Sequence, residues 1–226
     1  MRDLIDPTPT PSAWEEAYLR FETPKQEVRK FQGRLELLGA NGWSRSSRIV
    51  ELCCGRGSGL QALRSFGFQH IEGLDLSPAL VATYEGPGVI ILGDVRVLPF
   101  SDRSRDILIV QGGLHHLGDL RADLPRALTE AARVLAPDGR FVMVEPWLTP
   151  FLRIVHAVSE TAIARRLSRK VDAFATMTDH ERPTYEAWLS QPQTILAELR
   201  ARFQTERHIV GWGKLMFVGR PRPQPN

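Results

Sequence analysis

Three side chains that can move or hold a proton follow apolar runs of the sequence. His115 and His116 come shortly after the run from Asp106 to Val110, and Glu145 ends the run that begins at Arg140. A short continuous apolar run is typical of a buried strand, and an open parallel sheet binds its ligands at the carboxyl ends of its strands. Histidine can accept a proton near neutral pH, and a carboxylate is a further candidate for proton transfer. We therefore expect His115, His116 and Glu145 to be catalytic candidates.

A glycine-rich turn lies earlier in the chain, between residues 48 and 60. An apolar run that contains Glu51 gives way to Gly55, Gly57 and Gly59, and apolar residues at helical spacing follow. This pattern indicates a strand that turns into a helix. Glycine permits positive φ angles and a close approach of the backbone, and the free amides of a helix start favour polar or anionic groups. The turn is therefore predicted to hold a ligand.

Two carboxylates end or follow the next two predicted strands. Asp75 ends the run that starts at His70 and lies 18 residues after Gly57. This is close to the interval at which a strand-end carboxylate meets the ribose hydroxyls of a nucleoside-type ligand, and it can accept from both hydroxyls. The alternative is that Asp75 only caps the helix after it. Asp94 follows the run from Val89 to Leu92.

Together, residues 48–147 resemble the class I S-adenosylmethionine-dependent methyltransferases, most closely their broad small-molecule group, which is type 11-like. The resemblance rests on residues that occur in the family's order: Glu51, Gly55, Gly57, Asp75, Asp94, Leu135, Pro137 and Gly139. Cys53 departs from the pattern, because the family more often has another glycine there. The larger side chain narrows the space beside the ligand.

This resemblance implies S-adenosylmethionine as the cofactor and a small-molecule acceptor that is methylated on a hydroxyl or a carbon. In-line displacement from an activated sulfonium mainly requires that the protein hold the reactants and exclude water, so no metal is expected. The implied cofactor contacts are Glu51, Cys53, Gly55, Gly57, Asp75, Leu76, Asp94, Val95, Gln111 and Gly112. Beyond residue 147, His180 and Tyr185 are the implied substrate contacts and alternative bases.

The predicted fold class is α/β. We expect a Rossmann-like, doubly wound, three-layer α/β/α sheet, mostly parallel with an antiparallel C-terminal strand and a helical lid insertion. The chain is predicted to be a single domain with five segments: N-terminal helices in 1–45, a cofactor-binding core in 46–147, a helical lid in 148–190, a closing helix and strands in 191–219, and a disordered tail in 220–226. Residues 1–11 are expected to be loose, and capping boxes at Ser12 and Thr23 predict two helix starts.

Composition and charge limit the other classes of protein. The chain has 226 residues, a net charge of +3 and two adjacent cysteines, Cys53 and Cys54, which cannot build a disulfide framework or a metal cluster. No apolar run reaches transmembrane length, and the N-terminus lacks the pattern of a signal peptide, so a cytoplasmic location is expected. The mild basic charge gives no strong nucleic-acid signal. A basic group at residues 165–170 is either a solvated helix face or a contact for an acidic or lipid-linked acceptor.

Two other functions stay open. The fold could bind S-adenosylmethionine or S-adenosylhomocysteine without catalysis, as a sensor or an inactive partner subunit. An NAD-dependent oxidoreductase is disfavoured, because a dinucleotide-binding pattern on Gly57, Gly59 and Ala62 would begin too far after the strand. Residues 111–114 also lack the Asn/Asp-Pro-Pro-aromatic motif that is typical of methyltransferases acting on amide or nucleobase amines.

Overall fold

A seven-stranded sheet forms the centre of the protein. The computed structural model describes residues 12–82 and 84–223. The strand order is β3-β2-β1-β4-β5-β7-β6. The strands are β1 (Arg48–Leu52), β2 (His70–Asp75), β3 (Val89–Leu92), β4 (Arg105–Gln111), β5 (Leu135–Pro146), β6 (Phe203–Gly211) and β7 (Lys214–Pro221). Strands β1 to β5 are parallel, whereas β7 is antiparallel to both β5 and β6. The predicted Rossmann-like sheet with an antiparallel C-terminal strand is confirmed.

Helices cover both faces of the sheet. In the described residues they are α1 (Ala13–Phe21), α2 (Pro24–Leu37), α3 (Ser58–Ser65), α4 (Pro78–Ala82), α5 (Leu120–Val134), α6 (Pro150–Ser159), α7 (Ala162–Leu167), α8 (Arg169–His180), α9 (Arg182–Ser190) and α10 (Pro192–Arg202). One buried apolar cluster includes α5 and α10, and the other includes α2 and α3. The central strands β1 and β4 supply residues to both clusters, which is why they read as continuous apolar runs. The three-layer architecture follows from this two-sided burial.

The order of the strands determines where along the sheet a ligand can bind. Strand β1 pairs with β2 on one side and with β4 on the other, so the direction of winding reverses between β1 and β4. In doubly wound folds a crevice opens outside the carboxyl ends of the strands at such a reversal. The glycine turn follows β1 and the two histidines follow β4. The two motifs therefore meet across one crevice.

The N-terminal helices begin where the sequence predicts. Ser12 accepts a hydrogen bond from the Glu15 amide, and the Glu15 carboxylate accepts one from the Ser12 amide. Thr23 and Gln26 form the same reciprocal pair, with Pro24 at the first helical position. Each capping box satisfies two amides that a helix start otherwise leaves free. The predicted loose segment 1–11 lies outside the described residues.

The predicted lid is a set of four helices, α6 to α9, between β5 and α10. Trp188 of α9 is fully buried, and its indole Nε1 donates to the Pro146 carbonyl at 2.8 Å. This contact anchors the lid to the end of β5. In the described part of the chain no helix is long and apolar enough to cross a membrane.

Two local features differ from the sequence prediction. Strand β5 begins at Leu135, five residues before the apolar run that starts at Arg140, and its register shifts there, since Arg105 pairs with Leu135 but Ile107 pairs with Arg140. The extra residues on β5 form a bulge in the ladder. At the other end, β7 continues through Pro221, two residues into the segment predicted as a tail, because Phe203 and Gln204 of β6 pair with it there. Residues 224–226 lie outside the described part.

Candidate functional site

A cavity of about 650 Å³ opens at the carboxyl ends of β1, β2 and β4. Most of the predicted cofactor contacts line it, together with the catalytic candidate His116 and the implied substrate contact His180: Glu51, Cys53, Gly55, Asp75, Leu76, Asp94, Val95, Gln111 and Gly112. Other walls come from residues that the sequence analysis did not single out, including Trp14 and Tyr18 of α1 and Glu181 between α8 and α9. The N-terminal helices and the lid therefore meet the sheet around one cavity.

The glycine turn has a left-handed backbone at three positions. The φ angles are +53° at Cys53, +54° at Gly55 and +76° at Gly57. The left-handed conformation costs about 1–3 kcal/mol for any residue other than glycine. This cost explains why the resembled family more often has glycine at the position of Cys53. Burial raises the pKa of the Cys53 thiol, so the sulfur lies beside the cavity as an uncharged group.

Gly57 and Gly59 make room for other side chains of the protein. Gly57 is the N-cap of α3 and is not in the cavity wall; an added Cβ would lie 2.1 Å from Cε2 of Tyr84. At Gly59 an added Cβ would lie 2.0 Å from Oε1 of Glu51. The glycines thus allow the Glu51 side chain to pack against the start of α3.

Arg56, between the glycines, holds the N-terminal helices against the turn. Its Nε donates to Glu27 at 2.7 Å, and its two terminal nitrogens donate to the carbonyls of Leu19 at 3.3 Å and Glu22 at 2.6 Å. These are carbonyls at the end of α1, which a helix leaves without partners of its own. Sequence reasoning missed this role, although a guanidinium in the middle of a glycine turn is a visible signal.

The two strand-end aspartates have different partners. Asp75 accepts from the Gly55 amide at 2.7 Å and from the Ser77 amide at 2.9 Å, one bond to each oxygen. Each carboxylate oxygen can accept a further bond, so Asp75 supports the turn and still has capacity for a ligand. Asp94 instead forms an ion pair with Arg96 at 2.6 Å, whose hydrogen bonds lower the pKa of this carboxyl. Arg96 was not among the predicted site residues.

Two buried oxygens of the cavity wall lack a hydrogen-bond partner among the described residues. They are Oε2 of Glu51 and Oε1 of Gln111. The two side chains touch through Gln111 Nε2 and Glu51 Oε1 at 3.4 Å. Burial, together with the nearby charge of Glu27, raises the pKa of Glu51 to about 8. Two unpaired acceptors beside one another suit a donor that carries positive charge.

Glu145 lies behind the cavity wall and is fully buried. Its Oε1 accepts from the amides of Gly113 and Leu114 at 2.8 Å each, and its Oε2 lies 2.7 Å from Nδ1 of His115. Burial opposes the charge, but His115 and the two amides outweigh it and hold the pKa of Glu145 below its usual value. Glu145 therefore fixes the loop after β4 and does not line the cavity.

His115 lies between two carboxylates. Its second ring nitrogen, Nε2, is 3.6 Å from Oε1 of Glu181, on the opposite side from Glu145. Burial disfavours a charged ring, but the two carboxylates outweigh it and raise the pKa of His115 to about 9. His115 is therefore positively charged at neutral pH, and its side chain is absent from the cavity wall.

His116 is the histidine that lines the cavity. Its Nδ1 lies 2.8 Å from Oε2 of Glu181, which also accepts from the indole Nε1 of Trp14 at 2.9 Å. The Trp14 ring packs edge-on against His116, with 5.1 Å between the ring centroids. Burial opposes the charge of Glu181, but the two histidines outweigh it and lower its pKa to about 2. Glu181 was missed from the sequence, because only the fold brings the lid to the histidine pair.

The two predicted lid residues lie on different sides of this cluster. His180 lines the cavity. Tyr185 is buried behind His115, with 5.7 Å between the ring centroids, and its hydroxyl lies 3.0 Å from Nε2 of His156.

His115, His116 and Glu181 place potential metal-ligand atoms within 4.8 Å of one another. Their hydrogen bonds already use these atoms, and we assign no metal to them.

The chain is similar in sequence to known methyltransferases. The model of the methyltransferase domain family matches residues 50–143. A 2-phytyl-1,4-naphtoquinone methyltransferase of Synechocystis is 31% identical over 116 residues, which cover 46% of this chain and 47% of that protein. A demethylmenaquinone methyltransferase of Clavibacter sepedonicus is 30% identical over 166 residues, which cover 68% of this chain and 64% of that protein. The chain thus spans less than two thirds of these curated relatives.

Among solved structures, the PH0226 protein from Pyrococcus horikoshii OT3 has the same fold. It superimposes with a TM-score of 0.68 at 18% identity, covering 94% of this chain and 100% of that one. The match to the family model, the curated relatives and this fold agree with the glycine turn, Asp75 and the strand order. The chain is thus similar to the methyltransferase domain family over residues 50–143 and has a Rossmann-like fold, in agreement with its resemblance to the small-molecule, type 11-like group of the class I S-adenosylmethionine-dependent methyltransferases.

Proposed function

We propose that the protein transfers a methyl group from S-adenosylmethionine to a hydroxyl or a carbon of a small-molecule acceptor. One observation carries this proposal: a single cavity joins the glycine turn and its unpaired acceptors to a histidine that is oriented by a carboxylate. A site for binding alone would not require the second part. The two free cysteines, Cys53 and Cys54, are consistent with a reducing compartment, and the proposal places the activity in the cytoplasm.

The residues around the glycine turn fit the cofactor. Glu51 and Gln111 present unpaired oxygens that would accept from its ammonium group. Asp75 would accept from the ribose hydroxyls with the lone pairs that Gly55 and Ser77 leave open. Asp94, held by Arg96, would serve the adenine end. When bound, S-adenosylmethionine supplies a methyl group on a positively charged sulfur that is already an activated leaving group.

His116 is the proposed general base. Glu181 holds its Nδ1, which leaves Nε2 for the acceptor, and the carboxylate would stabilise the charge that forms when the ring takes a proton. His115 is already protonated at neutral pH and cannot serve as the base; it orients Glu181 instead. Glu145 acts through His115 and the loop amides. Among the three catalytic candidates, we therefore assign catalysis to His116 and positioning to the other two.

The acceptor is proposed to be a flat, mostly apolar molecule with an acidic hydroxyl or carbon. Trp14, Phe31, Leu117 and Tyr18 give the cavity an aromatic and aliphatic wall, and His180 adds a polar contact at its lid side. The two curated relatives are named for 2-phytyl-1,4-naphtoquinone and for demethylmenaquinone. A reduced 1,4-naphthoquinone is therefore the first acceptor to test. The rival function, cofactor binding without catalysis, predicts binding but no labelled product.

Asp75 provides a test of the cofactor site. We expect Asp75→Asn to weaken the binding of S-adenosylhomocysteine about 10-fold or more in calorimetric titration, since one charge-assisted hydrogen bond contributes about 1.5–3 kcal/mol. Asp138→Asn is the matched control, because this side chain is 99% exposed and far from the cavity wall. An unchanged dissociation constant for Asp75→Asn would remove Asp75 from the site.

Glu51 links cofactor binding to a proton. With a pKa of about 8 its carboxyl is mostly protonated at pH 7, and a bound ammonium group favours the ionised form. Binding of S-adenosylhomocysteine at pH 7 should therefore release close to one proton, which is measured by comparing binding enthalpies in phosphate and Tris buffers. Glu51→Gln should bind with little proton release, whereas the exposed Glu36→Gln should behave as wild type. Equal release in wild type and Glu51→Gln would contradict the assignment.

His116→Gln tests the base. With methyl-labelled S-adenosylmethionine and reduced 1,4-naphthoquinone, we expect kcat to fall about 100-fold or more, the usual range for a lost general base, while cofactor affinity changes less than about 2-fold. His180→Gln should change mainly the acceptor KM. A wild-type protein that binds the cofactor but methylates neither this acceptor nor simple phenols and 1,3-diketones supports the binding-only alternative.

Glu145→Gln should destabilise the protein by about 3 kcal/mol, because it leaves His115 charged and without its buried partner. Because the folded protein lowers the pKa of Glu145, this carboxylate contributes to the free energy of unfolding above its unfolded pKa of 4.5. Because the folded protein raises the pKa of His115, the contribution of the charged ring is lost as the pH rises through about 9. The difference from wild type in urea unfolding should be largest between about pH 5 and 6.5 and smaller at pH 10. Glu36→Gln is the control, and a pH-independent difference would contradict the ion pair.

A further inference from the structure

The outer side of the lid exposes large apolar side chains. Helix α6 exposes Phe151, Ile154 and Val158, which recur at helical spacing, and Ile163 and Leu167 of α7 are 74% and 83% exposed. The opposite side of α6 is also apolar, with Leu152 buried in the protein. A helix at a protein–water boundary normally carries polar residues on its outer side. Exposed apolar groups of this size mark an interaction site.

The turn between β6 and β7 adds an exposed tryptophan to this side. Trp212 is 81% exposed, and its ring packs edge-on against Phe151 with 5.3 Å between the centroids. Its φ angle is +50°, which is uncommon for a bulky residue. The turn is fixed to the start of α6, because the Gly213 amide donates to Thr149 Oγ1 at 3.1 Å. The fold thus maintains a strained turn that presents an aromatic ring to solvent. We call Phe151, Ile154, Val158, Ile163, Leu167 and Trp212 the lid apolar surface.

Positive charges without partners accompany the lid apolar surface. Arg153, Arg166 and Arg169 are exposed, and no carboxylate of the described residues forms an ion pair with them. Their neighbours differ, since Arg165 pairs with Asp172 and Asp179. One exposed carboxylate, Glu160, lies between α6 and α7, so the segment from 150 to 170 remains positive.

We propose that the lid apolar surface, with Arg153, Arg166 and Arg169, docks onto a bilayer that contains anionic lipids. Apolar side chains enter the boundary between headgroups and acyl chains, tryptophan prefers that depth, and arginine pairs with the lipid phosphates. A symmetric contact with a second copy fits less well, because it would bring the same unpaired arginines towards one another. The inference does not depend on methyl transfer.

Docking of the lid would also hold the cavity close to the bilayer. The lid supplies His180, Glu181 and Thr184 to the cavity wall, so the segment that would contact the bilayer also encloses the site. Since the docking is tested by binding alone, its outcome is separate from that of the proposed methyl transfer.

The test is co-sedimentation of the full chain with vesicles of phosphatidylcholine alone or with 30 mol% phosphatidylglycerol. We expect partitioning to be at least about 10-fold stronger on the anionic vesicles at low salt, and weaker at 0.5 M NaCl. Ile163→Ser with Leu167→Ser should reduce it about 10-fold or more, and a joint change of Arg153, Arg166 and Arg169 to Gln about 30-fold or more. Leu37→Ser and Arg29→Gln, both exposed on α2, are the matched controls.

Three results would overturn the proposal. The first is a wild-type protein that stays in the supernatant with anionic vesicles. The second is equal partitioning of the lid variants and the α2 controls. The third is a stable dimer by light scattering that Ile163→Ser with Leu167→Ser dissociates, because the lid apolar surface would then cover a second copy. Circular dichroism of each variant shows that the fold is retained, as expected for substitutions at exposed positions.

Discussion

The buried charge of Glu145 is the constraint on which the site depends. A carboxylate with no exposed surface must be matched by donors, and here these are two amides of the loop after β4 and the His115 ring. His115 then faces Glu181, which in turn holds His116 and Trp14. The sheet, the lid and the N-terminal helix are thereby joined through one chain of hydrogen bonds and ion pairs. This chain decides which of two adjacent histidines faces the cavity.

The glycine turn imposes a second constraint, and it works through packing as well as ligand contact. Gly59 allows Glu51 to lie against the start of α3, where the side chain has an unpaired oxygen beside Gln111. Arg56 points the other way and binds the end of α1, so the turn that would contact the cofactor also holds the helices that enclose it. A ligand that binds to the turn would therefore meet a cavity that the same turn has assembled.

Local signals explain why much of this was predictable. A capping box involves residues three apart, and Ser12 with Glu15 or Thr23 with Gln26 can be read directly from the sequence. Buried parallel strands leave continuous apolar runs that end at the ligand-binding edge, which is how Asp75 was found. The bulge in β5 was not found in this way, because it depends on the register with β4.

The sequence by itself determined the fold class and the edge of the sheet at which the cavity opens, since strand runs, glycines and strand-end carboxylates are recognisable within short stretches. Only the tertiary structure decided the roles of the ionisable groups. The charge of His115 depends on Glu145 and Glu181, which lie 30 and 66 residues away in the chain, and on the exclusion of water from their contacts. Exposure is decided in the same way, because only packing shows that Leu152 is buried while Ile154 faces solvent. The charge of an ionisable group and the exposure of a side chain both depend on distances between remote parts of the chain, which a local sequence pattern does not contain.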